Sequence, residues 1–219
     1  MPRAAPSADS SGAEKYGPSG ASLPRLREAA QTCRGCELYR DTTQAVFGEG
    51  PADARLMVIG EQPGDQEDLA GKPFVGPAGR LLVRALETAG IEPGTVFRTN
   101  AVKHFRFSGT QGKRRIHQTP DLVHMRACGP WLTAELAVVQ PRGVILLGAT
   151  AGRAIYGSGF KVTASRGALR PWPAERDDPE TPEWVLPTIH PSAVLRSDDK
   201  DGAFDGLVTD LRVAATALG

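Results

Sequence analysis

Short, wholly apolar runs separated by longer amphipathic stretches organise this chain. Arg55-Leu-Met-Val-Ile59 runs into Gly60, and Val96-Phe-Arg-Thr99, Gly143-Val-Ile-Leu-Leu147 and Trp184-Val-Leu-Pro-Thr-Ile189 follow. Runs apolar at consecutive positions fit strands buried on both faces. Helical spacing fills the intervals: Leu26, Ala29 and Ala30 in a segment from Leu23, then Leu81, Leu82, Ala85 and Leu86 within Arg80 to Ala89, stopped by Gly90. Asp121 to Val139 is helical in composition with an interruption near Gly129-Pro130, Ala149 to about Tyr156 is helical, and Ala203 to Leu218 closes the chain. Strands alternating with helices predict an α/β fold, a three-layer α/β/α arrangement on a central, mostly parallel sheet of about four strands. Glu61 to Gly79 and Ala101 to Pro120 have glycine and no periodicity, so both are expected as loops, the second long enough to be functional.

With 219 residues and 40% apolar content, one α/β domain suffices. That domain is expected over residues 23–219. Residues 1–22, rich in Pro, Ser, Ala and Gly, read as a disordered tail without the apolar stretch of a secretory signal. No run approaches the ~18 to 20 apolar residues of a membrane helix, and a monomer is the simplest expectation. The formal net charge of +1 is silent about partners, but Lys113-Arg114-Arg115 concentrates positive charge in a glycine-containing loop. Three cysteines are too few for a disulfide scaffold and fit a cytoplasmic, thiol-keeping compartment.

In open parallel sheets ligands bind beyond the carboxyl ends of the strands. Glu61 follows the first strand, Asn100 the second and His190 the fourth, a plausible converging site. Cys33-x-x-Cys36 suits a metal or cluster, with Cys128 and one histidine, His104 or His124, as further ligands. Zinc on three cysteines and a histidine, and plain buried thiols, remain alternatives. His124 is expected on a helix surface, and Trp131, Trp172 and Trp184 in packing.

Four ordered motifs carry a resemblance. They are Gly60-Glu-Gln-Pro-Gly-Asp-Gln-Glu-Asp68, Gly71-Lys-Pro-Phe-Val-Gly-Pro-Ala-Gly79, Thr99-Asn-Ala-Val-Lys103 and His190-Pro-Ser192. Together they resemble the family 4 uracil-DNA glycosylases from about Cys33 to the C-terminus. The resemblance implies a [4Fe–4S] cluster on Cys33, Cys36, His104 and Cys128, with a histidine where the family has its third cysteine. Imidazole in place of thiolate removes a negative charge and should raise the cluster potential. Between His104 and Cys128 lies an insertion whose Gly112-Lys-Arg-Arg-Ile-His117, together with Gln62, resembles UdgX, the crosslinking branch of this superfamily. That likeness implies uracil excision ending in a covalent bond between His117 and C1′ of the abasic site.

The same resemblance implies a site. The target uridine must be flipped out or already single-stranded, and single-stranded DNA is the expected preference. Phe74 would stack on uracil, Asn100 would tell it from cytosine by donating to O4 and accepting from N3–H, and Glu67 would help exclude thymine. His190, with Ser192 in its motif, would donate to O2 as charge develops there, and Glu61 would stabilise the cationic sugar. Asp65 and Gln62 would hold the arrangement, and Lys113, Arg114 and Arg115 would meet DNA phosphates. Repulsion by Arg114 and Arg115 is expected to keep His117 neutral, so that crosslinking fails in acid. A turnover glycosylase, a non-enzymatic iron–sulfur DNA-binding module and a zinc-stabilised hydrolase are the rival readings.

Overall fold

The computed structural model describes residues 12–112, 114–174 and 181–219, and the side chain of Arg114 falls outside them. Four strands, β1 (Leu56–Gly60), β2 (Val96–Asn100), β5 (Gly143–Leu147) and β6 (Trp184–Thr188), form a sheet in the order β2-β1-β5-β6. Every pairing in it is parallel, with Gly60 opposite Asn100 and Leu147 opposite Thr188. Alternate residues of each strand feed different cores. Met57, Ile59, Phe97, Val144 and Leu146 pack with α1 (Leu23–Ala30), α4 (Leu122–Val139) and α5 (Gly148–Tyr156). Leu56, Val58, Ile145, Leu147 and Leu186 pack with α3 (Pro77–Thr88), α6 (Pro191–Arg196) and α7 (Lys200–Leu218). The three-layer α/β/α expectation therefore holds, and burial on both faces explains why the strands do not alternate. Trp131, Trp172 and Trp184 are buried packing residues, as expected. Among the described residues no helix is long and apolar enough to cross a membrane.

Both expected loops contain regular structure. Glu61 to Gly79 includes α2 (Asp65–Ala70) and the first residues of α3. The α2 helix is only six residues long, too short for an apolar periodicity to register, and it ends at Gly71 in a left-handed conformation (φ 69°). Ala101 to Pro120 includes a two-stranded antiparallel ribbon, β3 (Phe107–Gln111) and β4 (Arg114–His117), with a register shift between Phe107 and Thr110. Its strands are polar because most of the ribbon faces solvent. α4 runs unbroken through Pro130.

The tail expectation needs correction from residue 12 onward. The Ala13 amide donates to the Ala127 carbonyl at 2.8 Å, Ala13 and Ala21 are buried, and Gly17 lies against the Trp131 ring. Small residues that look like linker are here selected for close approach: a Cβ on Gly35 would meet the Gly12 backbone. His124 is also corrected, from surface to interior. Its Nδ1 accepts the Asp121 amide at 3.0 Å and its Nε2 lies 2.7 Å from Glu37, so it caps α4 while 1% exposed.

Deleting residues 1–22 should therefore destabilise the fold by about 1 to 3 kcal/mol, the worth of a lost hydrogen bond and small apolar contacts. Urea denaturation checks this, since a detached tail would leave the midpoint where it was.

Candidate active site

Parallel pairing places Gly60 at the end of β1, so Glu61 and Gln62 emerge beside Asn100 at the end of β2 and near His190 just past β6. The Glu61 carboxylate is the meeting point. One oxygen accepts a short hydrogen bond from Thr150 Oγ1 in the first turn of α5. The other lies 3.1 Å from His117 Nε2 on the ribbon. Burial opposes ionisation of Glu61, yet the hydrogen bonds from His117 and Thr150, with the nearby His117 and His190 rings, hold its pKa below the ordinary value of 4.5.

His190 caps α6. Its Nδ1 accepts the Ser192 amide at 3.1 Å and lies 2.8 Å from the Ser192 hydroxyl. With Nδ1 an acceptor, the proton of the neutral ring sits on Nε2, which is left as a donor. Burial pushes the His190 pKa down to about 4, against the pull of Glu61, so the ring is neutral at ordinary pH.

Phe74 has φ 59°, a left-handed conformation that costs a non-glycine residue ~1 to 2 kcal/mol. Gly79 makes it possible, because a Cβ there would collide with the Phe74 carbonyl. The ring reaches Gly60, where a Cβ would strike both it and the Asn100 Oδ1, so Phe74 and Asn100 flank one glycine. The Glu67 carboxylate accepts from the backbone of Gly64, Gly76 and Phe74, and burial raises its pKa. Its placement is that of a brace for the Phe74 loop.

The ribbon is fastened at both feet. Gln62 Oε1 accepts the Arg106 amide at 2.9 Å, and its Nε2 donates to the carbonyls of Arg106 and Gln118 at 3.0 and 3.1 Å. Arg115 turns inward: Nε donates to Asp65 at 2.5 Å and Nη1 to Asp68 at 2.7 Å, with the guanidinium over Phe105 and Phe107. Arg115 is therefore neutralised by α2, and among the described side chains the Glu61 carboxylate is the charged group in contact with His117. The expected repulsion from Arg115 is replaced by a proton acceptor. Lys113 and the Arg114 side chain, also expected at phosphates, lie outside the described residues.

Cys33, Cys36, His104 and Cys128 are all buried. Cys128 feels Lys103, Cys36 and Cys33 electrostatically. Burial raises the thiols of Cys36 and Cys128 to about 11 and about 12, and lowers His104 to about 4, the neutral form a ligand needs. N–H groups already point at sulfur: Lys103 N donates to Cys128 at 3.2 Å and Trp131 Nε1 to Cys33 at 3.3 Å. Three buried sulfurs within electrostatic reach of one another, and a buried neutral imidazole one residue after Lys103, are the donor types a cluster takes. Among the described residues no three His, Cys, Asp or Glu side chains are grouped to hold a single metal ion. A cluster attaches each ligand to a different iron, so its ligands stand further apart than those of one ion.

Thr150, Asp68, Lys103 and Glu135 also contact the candidate site residues or their supports; Thr150 and Glu135 drew no notice in the sequence, and Asp68 and Lys103 appeared there only as the ends of motifs, with no role. The usable signals were charges in apolar surroundings, Lys103 after Ala-Val and Glu135 in an apolar helix. Thr150 gave none, because its partner Glu61 is 89 residues away.

A model of the uracil DNA glycosylase superfamily matches residues 47–212. The chain is 34% identical over 173 residues to a type-4 uracil-DNA glycosylase of Thermotoga maritima, covering 78% of this chain and 82% of that protein. It is 34% identical over 179 residues to a type-4 uracil-DNA glycosylase of Sulfurisphaera tokodaii (80% and 76%) and 33% identical over 182 residues to one of Pyrobaculum aerophilum (83% and 89%). A match over most of the fold, including every strand of the parallel sheet and the site at its carboxyl edge, establishes that the chain belongs to the uracil DNA glycosylase superfamily.

Proposed function

We propose that this protein excises uracil from DNA and then holds the abasic site in a covalent bond to His117. The type-4 relatives support the first half. The observation that carries the second is the 3.1 Å contact between His117 Nε2 and Glu61 Oε1, which sets an imidazole nitrogen beside the carboxylate that faces the sugar.

The steps follow from the site. A uracil in single-stranded DNA, the preferred substrate because no pairing is broken, enters between Phe74 and Asn100. Stacking on Phe74 is worth ~1 to 3 kcal/mol. The Asn100 amide donates to O4 and accepts from N3–H, a pattern that cytosine reverses. As the C1′–N1 bond breaks, its electron pair leaves with the uracil ring, and His190 Nε2–H donates to O2 where that charge collects. Ionised Glu61 stabilises the oxocarbenium sugar. His117 Nε2 bonds to C1′ as its proton passes to Glu61, leaving a neutral alkylated imidazole, a neutral Glu61 and a uracil anion. A nitrogen held at near-attack distance from C1′ would reach effective concentrations of ~10⁵ to 10⁸ M, ahead of water. The amine-like C–N bond lacks a good leaving group, so capture ends the cycle.

Cys33, Cys36, His104 and Cys128 would hold a [4Fe–4S] cluster that staples the N-terminal segment to the loop after β2. Gln62, Asp65 and Arg115 would fix the ribbon, Glu67 and Ser192 would brace Phe74 and His190, and Lys113 and Arg114 would meet phosphates. We take a monomer as the working unit.

Denaturing electrophoresis tests capture directly. A uracil-containing single strand should give a slow band resistant to heat and denaturant, and a thymine strand none. In His117→Gly the band should vanish while free uracil appears with turnover. A variant that forms neither product would remove Glu61 and His190 from their roles in excision, and a wild type that turns over without a band would leave an ordinary glycosylase.

Excision needs ionised Glu61, so it should persist as pH falls until Glu61 protonates, below its usual 4.5. Thr150→Val removes one hydrogen bond to the charged form and should move the acid limb of the single-turnover rate to higher pH, with Thr150→Ser restoring it. An unmoved limb would show that Thr150 does not set the acidity of Glu61.

A further inference from the structure

Lys103 is fully buried and its ammonium makes three contacts at 2.7 Å, to Glu135 Oε2, Thr99 Oγ1 and the Asn100 carbonyl. Glu135 is equally buried and is occupied on both oxygens, one by the Gly48 amide at 2.9 Å, the other by Lys103 and by the Thr99 hydroxyl at 2.8 Å. The ring of Phe47 lies 5.7 Å from the ammonium. An ion pair this deep is a poor source of stability, since apolar residues of similar volume often do as well. What the ammonium provides that an apolar side chain cannot is a donor for one particular carbonyl.

That carbonyl has no partner strand. β2 is an edge of the parallel sheet, with β1 on its inner side. On the outer side Arg98 exchanges both backbone hydrogen bonds with Glu49, at 2.8 and 2.9 Å. Backbone direction alternates along a strand, so Asn100, two residues on, also turns its carbonyl outward. The neighbours bear out the alternation, since Ala101 N donates inward to the Gly60 carbonyl at 3.0 Å. The bridge to Glu49 does not extend to Asn100, and Lys103, folded back over three residues, supplies the missing donor. The loop is tied from behind as well: the Lys103 amide donates to Cys128 Sγ and its carbonyl accepts from Val46 N at 2.8 Å.

We propose that Lys103 is a positioning residue for pyrimidine recognition, acting through Asn100 by fixing the backbone from which the reading amide projects. The proposal rests on Asn100 being the uracil reader. Ala101 N fixes the peptide plane after Asn100 from the inner side and Lys103 fixes its carbonyl from the outer side, and between the two anchors the side chain stays against Gly60 and Phe74 in the orientation that meets O4 and N3–H. Without Lys103 the outer anchor is gone, and the plane can tilt about its single remaining bond to Gly60. A misplacement of about 1 Å at a recognition group can cost on the order of 10²-fold in rate.

A double-mutant cycle tests this. Lys103→Met alone would leave Glu135 buried and unpaired, so the variant used is Lys103→Met with Glu135→Gln. Gln keeps an acceptor for Gly48 and a partner for Thr99, so the ion pair is removed without leaving a buried charge, and the Asn100 carbonyl loses its donor. Circular dichroism and the melting temperature establish that it folds. Single-turnover uracil excision should fall about ten- to a hundredfold in the wild-type background and less than about twofold when Asn100 is already Ala, because residues that act through one another are not additive. Equal losses in both backgrounds would make Lys103 merely structural and overturn the proposal. A wild-type rate in Asn100→Ala by itself would overturn the reading of Asn100, and the proposal with it.

Discussion

Parallel pairing of β1 with β2 and β5, and of β5 with β6, brings four carboxyl ends to one edge, and the placement of Glu61, Asn100, Thr150 and His190 depends on that. Residues 61, 100, 150 and 190 leave the sheet within a turn of a strand end, on backbone that the ladder has already fixed. Because the strands are buried on both faces, their ends cannot shift without disturbing two cores. The result is a rigid floor on which Glu61 is aimed by Thr150 from α5 and His190 is aimed by the start of α6.

Against that floor the ribbon β3–β4 is an addition. It carries His117 and has no ladder to the main sheet, so its position depends on side chains: Gln62 at its feet, and Arg115 on Asp65 and Asp68. Asp68 is itself held by the Thr43 amide. Within the three-residue run of positive charge Arg115 faces inward and is neutralised, and among the described side chains a carboxylate is the charged neighbour of His117.

Buried charge recurs beneath the site. Lys103 and Glu135 lie under Asn100, and the sulfur pocket lies beside Lys103. Lys103 satisfies the Asn100 carbonyl at the sheet edge, and Glu135 and Cys128 accept the Gly48 and Lys103 amides, as unsatisfied polar groups at such depth are costly. The strained φ of Phe74 follows the same logic, since Gly79 and the brace of Glu67 keep a conformation that an isolated chain would abandon.

Local pattern was enough for the sheet. Apolar runs at consecutive positions mark strands buried on both faces, and their alternation with helices implies parallel order, so the carboxyl-edge placement of Glu61, Asn100 and His190 was legible from the sequence alone. The motifs also carried the family. What the sequence could not express was any contact made between distant segments. Thr150 meets Glu61 and Lys103 meets Glu135 only once the layers close, and nothing in a threonine or a lysine announces its partner. The polar ribbon looked like loop because solvent-facing strands have no apolar period, and residues 12–22 looked like linker because close packing uses the same small residues as flexible chain. The inward turn of Arg115 was decided by tertiary structure for a further reason: a cation settles where carboxylates have gathered, and the Asp65 and Asp68 pair on α2 comes within reach of Arg115 only when that helix lies against β4.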